Sequence, residues 1–211
     1  MATYKDGYMG AFNGKLGPGV GYMWKGRQCL RAYVPRKRNP RTKEQQAGRM
    51  VFSTVSQLSS SFREASEIGL RSLAEESMKS THNIFMSLNR QCVDMEEGCV
   101  TIDYPALRVS EGDLPTVHFG EVHTGAGGVI GVDYSAIAGG GGSEADYVYL
   151  YAYVPAVNHG QLSMPAARGG NRVEIALPAF CTGHEAHLYG FVWNHLDSAS
   201  PSTYLGNITI I

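Results

Sequence analysis

Apolar side chains recur at Ala47, Val51, Val55, Leu58, Phe62 and Ala65, at spacings of four, four, three, four and three, with Gln, Ser, Arg and Glu between them. That period draws a single stripe along a helix. It predicts a helix over about residues 43–68, roughly 39 Å long at about 1.5 Å per residue. Thr42 stands where an N-cap belongs, Gln45 three residues on completes a capping box, and Gly69 is a natural stop. Gly48 lies inside the stretch where a better helix former is expected, which blurs the helix start. A second helix is expected over residues 72–90 with Ile84, Phe85 and Leu88 buried, although its segment 77–83 is polar and poor in helix formers.

Beyond residue 98 the period shortens to that of strands. Residues 99–102 and 106–109 read as short strands, with a turn at 110–113. Six further β segments follow, over 116–119, 128–134, 147–154, 172–176, 186–193 and 204–210, joined by glycine-rich or polar connections. In the third, Tyr147, Tyr149, Tyr151 and Tyr153 alternate with Val148, Leu150, Ala152 and Val154. One face is aromatic and the other aliphatic, so both are expected to be covered. These signals predict an α+β fold: an N-terminal glycine-rich arm and helices over residues 1–114, then an antiparallel β-sandwich of immunoglobulin or fibronectin type over 115–211. The Cys, Trp, Cys hallmark of antibody domains is missing, which favours the fibronectin type.

The stretch 10–46 is glycine-rich, then basic, then bounded by proline. Seven glycines between residues 7 and 26 alternate with Tyr8, Phe12, Tyr22 and Trp24, which suits bulged or turning short strands, or an arm laid on a neighbour. Within 27–35, Cys29, Arg31 and Tyr33 alternate with Leu30, Ala32 and Val34 as in a half-buried strand. Pro35 ends that pattern, and residues 36–41 read as a solvated basic connector that cannot be helical before Pro40.

Charge changes this picture most. The chain's formal charge of -1 conceals 11 Lys and Arg against two acidic residues in 1–49, a net +9, and a remainder of net -10. Such polarity suits head-to-tail self-association, an acidic partner or nucleic acid, or neutralisation of the chain's acidic part by its own arm. The residues expected to bind a partner are Lys15, Tyr22, Trp24, Lys25, Arg27, Arg31, Arg36, Lys37, Arg38 and Arg41, because arginine and aromatic rings are favoured at interfaces. The same mixture of cations and rings suits nucleic acid, where phosphate contact and base stacking act together.

Catalytic chemistry finds little support. The glycines of 14–22 lack the spacing of a phosphate loop or a dinucleotide fingerprint, and no Gly-x-Ser-x-Gly elbow occurs. His184 and His187 are three apart on a strand or its approach, and His118 and His123 five apart, so neither pair shares a strand face for a metal. Four scattered cysteines read as free thiols, with a small 92–99 loop as the alternative pairing. No cofactor or metal is expected, and the leading expectation is a non-enzymatic structural or interaction protein that oligomerises or joins an assembly. A carbohydrate-binding or enzymatic use of the tyrosine-rich strand requires those rings to be exposed. The first twelve residues lack the pattern of a signal peptide and no apolar run spans a bilayer, which predicts cytoplasmic synthesis, with a virion as a further destination.

The run Gly14-Lys15-x-Gly17, Gly21-Tyr22-x-Trp24-Lys25-Gly26, Arg31 and Asn39-Pro40-Arg41-Thr42-x-x-Gln45, with the later Ile102-Asp103-Tyr104 and Ser202-x-Tyr204-Leu205-Gly206, resembles an uncharacterised family of Bacteroidota proteins known as a domain of unknown function. Its Asn-Pro-Arg-Thr-x-x-Gln-Gln element is similar to segments of phage-encoded proteins. The resemblance implies a fibronectin-like C-terminal half and a phage or prophage connection, and it brings no catalytic residues.

Overall fold

The structure is a computed structural model that describes residues 2–3, 12–35, 41–96, 98–136, 142–196 and 198–211. Its contacts divide the chain into Met1–Thr42 and Lys43–Ile211. In the first unit, short strands β1 (Ala2–Thr3), β2 (Gly14–Leu16), β3 (Gly19–Trp24) and β4 (Arg27–Ala32) pair antiparallel in the order β1-β4-β3-β2. Lys25 and Gly26, both left-handed at φ +46° and +74°, join Trp24 to Arg27. Two positive φ values in a two-residue loop give the turn whose twist matches paired strands. Gly21 is required by close approach, since a Cβ there would collide with the Phe12 carbonyl and ring. The glycine-rich run thus serves turning, closely packed short strands.

The second unit begins with the helical stripe. It forms α1 (Lys43–Ser61) and α2 (Arg63–Gly69), where the periodicity predicted one helix over 43–68, and α3 (Arg71–Glu76) follows directly. The interruptions fall at Phe62 (φ -87°, ψ +13°) and Leu70 (φ -115°, ψ +10°), both fully buried. The Phe62 and Leu70 amides still donate to Leu58 and Ser66 four residues back, so the chain bends without losing its ladder. A packing side chain is a recognised cause of such bends: Phe62 lies among Phe85, Tyr151, Tyr153 and Tyr189, and the Ser61 carbonyl accepts the Tyr151 hydroxyl at 2.5 Å. Gly69 ends α2 and also admits Ser110, whose Oγ donates to the Gly69 carbonyl.

The second helix expected over 72–90 is two. After α3 the chain turns through Met78 at φ +53°, and α4 (Thr81–Asn89) starts at Ser80, whose side chain accepts the Asn83 amide. A hairpin of β5 (Val93–Glu96) and β6 (Cys99–Ile102) follows. Residues 106–109 are not the predicted strand: the Asn89 side chain binds both backbone groups of Arg108, and Leu107 and Val109 are buried. An alternating pattern can serve irregular backbone when a side chain satisfies its polar groups.

Eight strands complete the unit: β7 (His118–Thr124), β8 (Val129–Ser135), β9 (Tyr147–Val154), β10 (His159–Leu162), β11 (Ala166–Ala167), β12 (Arg172–Ala176), β13 (Glu185–Trp193) and β14 (Thr203–Thr209). One antiparallel sheet runs β10-β9-β13-β14, with β11 also on β9, and another runs β12-β8-β7. Val148, Leu150, Ala152 and Val154 share a core with Ile130, Val132, Val173 and Ile175 of the second sheet. Tyr149, Tyr151 and Tyr153 face the other way and share a core with Val51, Val55, Leu58, Phe62 and Phe85. The chain is therefore α+β, as expected. Helices and strands close one aromatic core together, so residue 114 does not separate two cores. No helix among the described residues is long and apolar enough to cross a membrane.

Candidate functional site

Directly paired residues of antiparallel strands point to the same face. In the first unit Lys15 opposes Val20, Val20 opposes Arg31, Tyr22 opposes Cys29 and Trp24 opposes Arg27. Lys15, Tyr22, Trp24, Arg27 and Arg31 therefore occupy one face of the sheet, and Lys25 sits in the turn at its end. The Lys15 ammonium lies 3.8 Å from the centre of the Tyr33 ring, Lys25 5.6 Å from the Trp24 ring and Arg31 6.0 Å from the Tyr22 ring. Each such contact at a solvated site stabilises by about 0.5–1 kcal/mol and holds a cation beside an aromatic surface. Trp24 and Tyr33 remain 47% and 46% exposed, so the rings are open to a partner as well. The opposite face carries Gly19, Gly21 and Leu30, with Phe12 against Gly21.

Of the ten residues expected to bind a partner, six are gathered on this face or its turn. Arg41 is exposed just before α1, outside the strands, and Arg36, Lys37 and Arg38 lie outside the described residues. Tyr33 joins the face although it was not among the ten. Its signal was the alternation of 27, 29, 31 and 33 running past the end of β4.

The other candidate chemistries do not assemble. Tyr149, Tyr151 and Tyr153 are at most 6% exposed and only Tyr147, at the strand's start and edge-on to His195, is half-buried, so three of the four rings are withheld from a carbohydrate. Burial raises all three phenol pKa values, that of Tyr153 to about 12. His187 stacks on Tyr104 at 3.9 Å and pairs through Nδ1 with the Tyr204 hydroxyl, and burial lowers its pKa. Among the described residues no three His, Cys, Asp or Glu side chains converge as metal ligands. A polar cleft of about 430 Å³ between α1, α2 and the start of α4 contains a Ser59 Oγ to His82 Nδ1 contact of 2.8 Å. Ser59 is only 4% exposed in mid-helix while His82 is exposed, so the pair ties α1 to α4 with its imidazole at the surface.

An α+β body of antiparallel sheets, attached to a small sheet with a basic aromatic face, defines the protein's class. The chain belongs to DUF6266, a family of unknown function, which matches residues 11–206. Comparison with curated proteins gave no match.

Proposed function

We propose that this chain is a non-enzymatic structural and interaction protein that docks into a larger assembly through its N-terminal sheet. The observation that carries this reading is the gathering of Lys15, Arg27 and Arg31 with Tyr22, Trp24 and Tyr33 on one sheet face. Desolvated arginines and large rings dominate the energetics of protein interfaces. The first turns of α1 carry no buried residue before Val51 and expose Met50 and Phe52 by 44% and 60%, a separate surface that can meet a partner by itself. A phage virion of a Bacteroidota host is the assembly that the Asn39–Gln45 likeness favours. The two C-terminal sheets read as a fibronectin-like sandwich, because strand orders β7-β8-β12 and β10-β9-β13-β14 follow the division of such domains.

The test is the size of the native complex. Tagged chain in extract of its own cells should run in a particle larger than the monomer, and Lys15→Glu with Arg31→Glu should release it as monomer with its fold intact. A charge-reversed chain that keeps the large complex would overturn the reading. The cations beside open rings also favour a second reading, single-stranded nucleic acid. It predicts retention of labelled oligonucleotide at low salt that falls steeply as salt rises, and no retention at low salt excludes it.

A further inference from the structure

We infer that the acidic surface met by the N-terminal sheet is the β5–β6 hairpin of a second copy of this chain. The inference rests on the docking reading above and names its partner. Residues 1–42 hold nine Lys and Arg against one Asp, a net +8, while residues 43–211 hold nine against 18 acidic residues, a net -9. Six of those 18 acidic side chains are paired with an arginine. Glu67 pairs with Arg63, Glu75 with Arg71, Glu111 with Arg108, Asp146 with Arg168, and Asp133 and Glu174 with Arg172.

The hairpin gathers several of the others on one exposed face. Asp94 opposes Thr101 and Glu96 opposes Cys99, so all four share its outer, exposed face, while Met95 and Val100 on the other face pack against the aromatic core. Asp103 follows directly. No Lys or Arg occurs between Arg90 and Arg108, and no cation pairs with Asp94, Glu96 or Asp103 among the described residues. An acidic two-stranded face with strands of four residues is thus offered to a basic face with strands of up to six. Complementary potentials of this kind set orientation and encounter rate.

The area sets the strength. Strands of about six residues span roughly 20 Å and three of them roughly 14 Å, so the basic face covers about 300 Å². Stable complexes bury about 800 Å² per partner. The contact is therefore weak alone and strongly sensitive to salt, and it gains strength only by repetition in an assembly.

Purified full-length chain supplies the test, independent of any native complex. At about 0.1 mM chain and 0.01 M salt, where charges act over about 30 Å, the average mass in sedimentation should rise well above 22.9 kDa; it should return to that value near 1 M salt. Lys15→Glu/Arg31→Glu and Asp94→Lys/Glu96→Lys should each abolish association alone, and an equimolar mixture of the two should restore it. Exposed Cys99, the other three cysteines being buried, takes a maleimide-to-amine linker selectively. In a mixture of isotopically heavy and light chain, Cys99 should become linked to Lys15 or Lys25 of a different copy. A chain that stays at 22.9 kDa in low salt, variants that fail to complement, or linkage within single copies only would each overturn the inference. Monomeric purified chain together with a large, charge-dependent native complex would leave the docking reading standing with a different partner.

Discussion

Truncating Phe62 to alanine should loosen helices and sheet together. The ring is fully buried at the bend between α1 and α2, with centroids 4.8 Å from Tyr151, 4.9 Å from Tyr153, 5.5 Å from Tyr189 and 5.7 Å from Phe85. Removing a buried phenylalanine costs about 3–5 kcal/mol through lost transfer energy and the cavity left behind. Aromatic pairs add about 0.5–1.5 kcal/mol each, and four neighbours place this site near 5 kcal/mol. For a unit of this size about 2–4 °C is lost per kcal/mol, so the melting temperature should fall by roughly 10–20 °C. Urea unfolding, followed by helical circular dichroism and by Trp193 fluorescence in a Trp24→Phe background, measures it. Both signals should move together to lower urea. A loss under about 1 kcal/mol, or a helical transition that shifts while Trp193 stays put, would refute the idea that Phe62 joins the two layers.

Two other perturbations probe the same unit. Tyr151, Tyr153 and Tyr189 are buried as neutral phenols with raised pKa values. Their contribution is intact below the unfolded value near 10 and is lost as pH rises above it, approaching about 1.4 kcal/mol per pH unit per tyrosine; since the unfolded phenols are only half ionised at pH 10, unfolding free energy should drop by roughly 3 kcal/mol from pH 10 to 11; equal stability at both pH values contradicts this. Arg168, 3% exposed, pairs with buried Asp146 and donates to the Thr116 carbonyl. Arg168→Ala should cost about 3–5 kcal/mol by chemical denaturation, and Arg168→Met with Asp146→Leu should recover a good part of it, because the stranded carboxylate is the costly element.

Where side-chain period alone decides an element, sequence and structure agree closely: β9 and β12 have their expected bounds, and Val51, Val55 and Leu58 line the buried side of α1. Period is blind to a bend that preserves it. The interruption at Phe62 leaves the apolar spacing unchanged, and its cause is the tyrosine wall almost 90 residues further on. Alternation at 106–109 looked like a strand because nothing local announces that Asn89 takes the Arg108 backbone. β10 escaped notice since His-Gly-Gln-Leu carries no β signal, and β9 alone recruits it. The basic and aromatic residues proposed to dock could be named as a set, but not as a face. Sharing a face depends on register, and the Lys25-Gly26 turn that fixes it is not the Asn-Gly signal usually sought in sequence.

The two-sided burial of β9 and β13 decides how the gene can be cut. A fragment limited to residues 115–211 would carry both sheets yet bare Tyr149, Tyr151, Tyr153, Tyr189 and Phe191 as one apolar wall. Such a wall far exceeds the few hundred Å² that soluble monomers expose, and the fragment would clump. Expression boundaries should begin near Lys43, and a truncation that keeps the strands but drops the helices is a recipe for inclusion bodies.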